Sequence, residues 1–96
     1  MEITEKIWMD GKLVNWNDAN VHIMTHAIHY GGGVFEGIRV YDTDEGRAIF
    51  RLREHMIRFF NSAKVIFLDI PYTLDEFCEA VRETVSVNGP KADYIR

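Results

Sequence analysis

Ninety-six residues with a formal net charge of −4 make one domain at most, near the size at which a chain buries just enough surface to fold alone. Apolar residues are 47% and charged residues 27% of the chain, ordinary for a soluble globular protein, and no basic run suits nucleic acid or an anionic membrane. The start, Met1-Glu2-Ile3-Thr4-Glu5-Lys6, lacks a secretion-signal pattern and a bilayer-spanning stretch, and the single Cys78 admits no internal disulfide, which fits a reducing cytoplasm.

Ile7-Trp8-Met9 and Leu13-Val14 flank Asp10-Gly11, a dipeptide suited to the positive φ angles of a tight hairpin. Polar Asn15 to Asp18 leads to Val21-His22-Ile23-Met24, which reads as another extended piece, and Thr25 to Tyr30 as a short helical turn before Gly31-Gly32-Gly33. A strand is expected over Val34 to Tyr41. Side chains alternate along a strand, so Phe35, Gly37, Arg39 and Tyr41 share one face while Val34, Glu36, Ile38 and Val40 share the other. An aromatic wall, bare backbone and a cation on one face can line a pocket for a small anion with an apolar part. Asp42 to Gly46 is a connection, and Ala48 to Arg51 the returning strand.

From Leu52 the period changes. Leu52, Met56, Phe59, Phe60, Ala63 and Phe67 recur at three- and four-residue spacing, the stripe of an amphipathic helix, and Pro71 ends it. Thr73-Leu74-Asp75-Glu76 fits a capping box for a second helix, whose stripe is Leu74, Phe77, Cys78, Val81 and Val85 and whose stop is Gly89-Pro90. Tyr94-Ile95-Arg96 has the pattern of a new strand with little room to pair, so the chain reads as a piece of a longer polypeptide.

Several constellations bear on chemistry. His22, His26 and His29 stand at i, i+4 and i+7, but the segment does not read as one helix and no cysteine or carboxylate completes a metal set. Hydrogen-bonding roles suit them better. The three glycines lack the spacing of a dinucleotide fingerprint and the Lys-Ser/Thr of a Walker loop, and a sharp backbone turn explains them. Arg58 lies on a shoulder of its helix with His55 and Ser62. A guanidinium and a hydroxyl one turn apart can bind phosphate, and the same spacing also fits a solvated flank. Cys78 falls within an apolar stripe and reads as a core residue.

His26-Ala27-Ile28-His29-Tyr30-Gly31, Phe35-Glu36-Gly37-Ile38-Arg39, Arg53-Glu54-His55-Met56-Ile57-Arg58 and Ser62-Ala63-Lys64 closely resemble branched-chain amino-acid aminotransferases, class IV pyridoxal-phosphate enzymes. The resemblance runs from Ile7 to Arg96 in order, and Tyr-x4-Phe-x-Gly-x-Arg at Tyr30 to Arg39 is its most specific part. It implies an α+β fold: residues 1–96 would be the small N-terminal domain of the D-amino-acid-aminotransferase-like architecture, antiparallel strands packed with two helices.

The resemblance also implies roles. Arg58 would hold the phosphate of pyridoxal 5'-phosphate. Tyr30, Phe35, Gly37 and Arg39 would line the pocket for the substrate side chain. Tyr94 would help bind the substrate carboxylates, and Arg96, with Arg39 beside it, would pair with the side-chain carboxylate of glutamate or 2-oxoglutarate. Family members bind the cofactor through a lysine of a larger C-terminal domain, and Lys6, Lys12, Lys64 and Lys91 match no such position, so no catalytic residue is expected in this chain. The family's fold completes the pocket with a loop of a second subunit, implying a homodimer or a multiple of it. A D-amino-acid aminotransferase or aminodeoxychorismate lyase is the nearest alternative, and the Phe35 to Arg39 run speaks against both. A stand-alone, non-catalytic fragment is the alternative from another class.

Overall fold

The computed structural model describes residues 4–96; Met1, Glu2 and Ile3, the start of the N-terminal stretch that lacks a secretion-signal pattern, lie outside the described residues. A hairpin opens the fold. β1 (Lys6–Met9) pairs antiparallel with β2 (Lys12–Asn15), and Asp10 and Gly11 turn it at φ 53° and 88°. Both positive angles are what a two-residue turn matched to strand twist demands. A 3-10 turn over Trp16–Asp18 follows, and then α1 (His26–Tyr30). Val21 to Met24 is not a strand as the sequence suggests: residues 23 and 24 form a turn, and the segment pairs with no strand among the described residues.

The second sheet has the order β4-β3-β5, all antiparallel, from β3 (Ile38–Thr43), β4 (Gly46–Ile49) and β5 (Tyr94–Ile95). The strand expected from Val34 begins only at Ile38. A strand starts where a neighbour supplies hydrogen bonds, and β5 reaches β3 at Ile38↔Ile95 and Arg39↔Tyr94 but no earlier. Short as it is, β5 does pair. The returning strand likewise ends at Ile49, leaving Phe50 and Arg51 in a turn that carries Arg51 into the left-handed region at φ 52°.

Two helices cover this sheet. α2 (Leu52–Val65) buries Leu52, Met56 and Ala63, and α3 (Leu74–Asn88) buries Cys78, Ala80 and Val85. Ile38, only 1% exposed, meets Leu52, Met56 and Cys78, with Phe59, Leu74, Phe77, Val81 and Ile95 packed around them. Val40, Val85 and Ala92 form a second cluster. Phe67 lies outside the stripe assigned to it. α2 stops at Val65, and Phe67 turns into a left-handed conformation (φ 58°) with 95% exposure. The Asn88 side chain then ties the hairpin to the end of α3: its Oδ1 accepts from the Lys6 amide at 2.8 Å and its Nδ2 donates to the Lys6 carbonyl at 3.0 Å.

Candidate active site

The alternation of β3 sets the chemistry out on two sides. Ile38 and Val40 turn into the core, while Arg39 and Tyr41 are exposed. On the exposed side β5 places Tyr94 opposite Arg39, whose guanidinium carbon lies 5.2 Å from the Tyr94 ring centroid. Arg96 stacks over two rings, 5.1 Å from that of Phe35 and 5.7 Å from that of Tyr94. The Tyr94 hydroxyl rests against Gly37, where any Cβ would overlap it. The fold thus gathers Phe35, Gly37, Arg39, Tyr94 and Arg96, residues up to 61 positions apart, into one layered cluster.

Neither Arg39 nor Arg96 forms an ion pair among the described residues. Two cations held on aromatic faces, without a carboxylate partner among the described residues, can receive anionic groups, with apolar ring surface beside them. Tyr30 stands apart from the cluster. Its ring packs on His26 at 4.6 Å and on His29 at 6.3 Å, and it is 77% exposed.

On the other side of the same segment, Glu36 turns toward α2. Arg58 Nε and Nη2 donate to its two carboxylate oxygens at 2.6 and 2.8 Å, a bidentate pair. His55 Nδ1 lies 3.3 Å from Oε2, and because a carboxylate only accepts, that nitrogen carries the proton. The Arg58 hydrogen bonds hold the Glu36 carboxyl down at about 2, from an ordinary 4.5, against the burial that raises it, and His55 adds to the lowering. The same pairing raises Arg58. Ser62, which spacing offered as a second phosphate donor, spends its proton on the Arg58 carbonyl at 2.9 Å and keeps only acceptor lone pairs.

Arg58 fits a phosphate. A guanidinium carries five N–H donors, Glu36 takes one from Nε and one from Nη2, and Nη1 has no partner among the described residues. Its side chain is 69% exposed, so those remaining donors are open to a ligand. Two of the three histidines between Val21 and Tyr30 are hydrogen-bonded: His22 Nδ1 accepts from the Met24 amide at 3.0 Å, and His29 Nε2 donates to the Ile23 carbonyl at 2.8 Å, while His26 packs on the Tyr30 ring. Cys78 is buried, and that burial pushes its thiol up, away from nucleophilic use.

Glu36 is the site residue that strand reasoning passed over. It was legible: a carboxylate in the row Val34, Glu36, Ile38, Val40 sits on the face that packs under a helix, where a charge needs a cation. The pair it makes spans 22 residues, which no local periodicity reports.

Residues 33–96, two thirds of the chain, match the family described as amino-transferase class IV. The chain belongs to the class IV aminotransferases. It is 53% identical over 90 residues to the branched-chain-amino-acid aminotransferase of Pseudomonas aeruginosa, covering 94% of this chain and 29% of that protein. Two solved branched-chain aminotransferases of the family superpose closely. The T.th. enzyme, in complex with N-(5'-phosphopyridoxyl)-L-glutamate, gives a TM-score of 0.87 at 50% identity over 90% of this chain and 29% of its own. That of the archaeon Thermoproteus uzoniensis, with norvaline, gives 0.86 at 48% identity over 95% of this chain and 30% of its own. The α+β arrangement of antiparallel sheets and covering helices is therefore the class IV fold, and this chain spans less than a third of the length of these relatives. No helix among the described residues is long and apolar enough to cross a membrane.

Proposed function

We propose that this chain is the small N-terminal domain of a pyridoxal-phosphate-dependent aminotransferase that exchanges the amino group of leucine, isoleucine or valine with 2-oxoglutarate. The observation that carries the reading is the cluster of Phe35, Gly37, Arg39, Tyr94 and Arg96, with two cations stacked on aromatic rings and no ion pair to either among the described residues. Such a pocket can serve two substrates in turn. Ring surface from Phe35 receives a branched aliphatic side chain, and Arg96 with Arg39 receives the extra carboxylate of a dicarboxylic acid. Tyr94, whose ring lies near both guanidinium groups, presents its hydroxyl beside bare backbone at Gly37, where it can donate to a substrate carboxylate. Tyr30 would join this wall from α1 once substrate and the rest of the protein are in place.

Arg58 would hold the cofactor phosphate with the donors that Glu36 leaves free. What pyridoxal phosphate supplies when bound is an electron sink for the charge left at the substrate α-carbon. The lysine that moves the α-proton would lie in a larger C-terminal domain, so these 96 residues alone should be inactive. A cytoplasmic homodimer, or a multiple of it, belongs to the same reading. The aminotransferase part of the reading is supported by the 53% identity to a branched-chain aminotransferase and by the superposition on two more.

The test is the substrate profile of the purified full-length protein. Glutamate should form from 2-oxoglutarate with L-leucine, L-isoleucine and L-valine as donors. Turnover of D-alanine without turnover of L-leucine would overturn the reading in favour of a D-amino-acid enzyme of the same fold.

A further inference from the structure

The electrostatics of Arg58 pose a problem for its proposed role. A phosphate site gains from every positive charge, yet Glu36 lies within hydrogen-bond reach of Arg58 and cancels one. The Glu36 side chain is only 9% exposed, and it engages Arg58 through two of its N–H groups at once, while His55 braces the same carboxylate from one turn earlier on α2. A free arginine at the end of a long side chain samples many rotamers, and ordering it on a ligand costs entropy. A bidentate carboxylate removes that freedom in advance and aims the unused edge of the guanidinium in one direction. Glu36 is also the residue between Phe35 and Gly37, so one peptide carries both the pocket wall and this brace.

We propose that Glu36 is a positioning residue: it orients Arg58 for the cofactor phosphate and ties that anchor to the substrate wall at Phe35 and Gly37. The proposal rests on the phosphate role given to Arg58 above. It makes the sign of the effect decisive. If charge neutralisation dominated, removing Glu36 would tighten phosphate binding; if orientation dominates, removal weakens it.

The experiment titrates the cofactor-free full-length protein with pyridoxal 5'-phosphate and, separately, with pyridoxal, following bound ligand by absorbance. Arg58→Ala should raise the Kd for pyridoxal phosphate by about tenfold or more, the scale of one charge-assisted hydrogen bond. Glu36→Ala should raise it by about tenfold, and the double variant should be no worse than Arg58→Ala, because both act through one group. Affinity for pyridoxal, which has no phosphate, should stay within about twofold in every variant, whereas a general loosening of the fold would weaken both ligands. Glu36→Gln keeps the shape and one acceptor oxygen, so it covers the case in which the alanine variant misfolds, and it should raise the Kd by about threefold. A Glu36 variant that binds pyridoxal phosphate as tightly as wild type or tighter, while Arg58→Ala binds it weakly, overturns the positioning role alone. An unchanged Kd in Arg58→Ala takes down the phosphate assignment and the positioning role together.

Discussion

Gly37 is constrained by space and not by backbone angle, since its φ lies outside the positive region. A Cβ there would meet the Tyr94 hydroxyl and come within 3.1 Å of the ring carbon that bears it. Tyr94 can yield by swinging aside, but its ring stacks on Arg39 at 5.2 Å and Arg96 at 5.7 Å, so movement disturbs both cations at once. Gly37→Ala in the full-length protein should therefore act on substrate binding more than on folding. The KM for both leucine and glutamate should rise about tenfold, the loss of roughly one desolvated cation–π contact, while overpacking costs about 1 kcal/mol of stability. Steady-state kinetics with each substrate and a thermal melt separate the two effects. Unchanged KM values for both substrates would show that the Tyr94 stack plays no part in the pocket.

At the scale of elements, α3 is the best test of how far local chemistry dictates structure. The Thr73 hydroxyl oxygen accepts from the Glu76 amide at 3.1 Å, and the Glu76 carboxylate accepts from the Thr73 amide at 3.0 Å, a reciprocal cap that also lowers the Glu76 carboxyl. Thr73→Ala should cost about 1 kcal/mol in urea denaturation with no change in cofactor affinity, because the cap lies on an exposed turn. A loss well below about 0.5 kcal/mol would mean that packing of Phe77 and Cys78 alone fixes the start of the helix. Every signal for this helix is local, and all were legible: cap, stripe and Gly89 stop. The hairpin at Asp10-Gly11 was legible for the same reason. Elements whose limits depend on a distant partner were not. β3 begins where β5 arrives 57 residues later, so alternation alone extended it four residues too far. Val21 to Met24 has strand-like composition but no neighbour to pair with among the described residues. Phe67 continues the spacing of α2 past its last residue, Val65. Alternation alone set Phe35, Gly37 and Arg39 on one face as a candidate pocket wall, whereas Tyr30, Tyr94 and Arg96 were readable only through family likeness; the Glu36 to Arg58 pair needed the fold.

The 96-residue chain exposes more surface than its mass warrants. Its accessible area is 7277 Å² at 11.2 kDa, against about 5,700 Å² for a compact monomer of that mass. The radius of gyration, 14.1 Å, likewise exceeds the roughly 12.5 Å expected for 96 residues. The excess, about 1,600 Å², is about twice what one partner buries in a standard interface, and exposed apolar side chains contribute to it, among them Val65, Ile66, Phe67 and Leu68 at and after the end of α2. Val21, Ile23, Met24, Ile28 and Tyr30 all stand exposed around α1. A cleft of about 590 Å³ opens between the first hairpin, α3 and β5, with Trp8, Trp16, Phe77 and Val81 on its walls. Uncovered apolar area of this extent weakens a domain already near the lower size limit, because the core offsets chain entropy by a narrow margin. The isolated 96-residue chain should therefore melt broadly, at least about 10 °C below the full-length protein, a shift of about one to three kcal/mol for a domain this small. It should also bind a hydrophobic dye that the full-length protein excludes. Calorimetry and dye fluorescence on both proteins check this. A sharp, dye-free transition for the short chain would mean that these surfaces need no cover, and the stand-alone fragment would then become the stronger reading of the sequence.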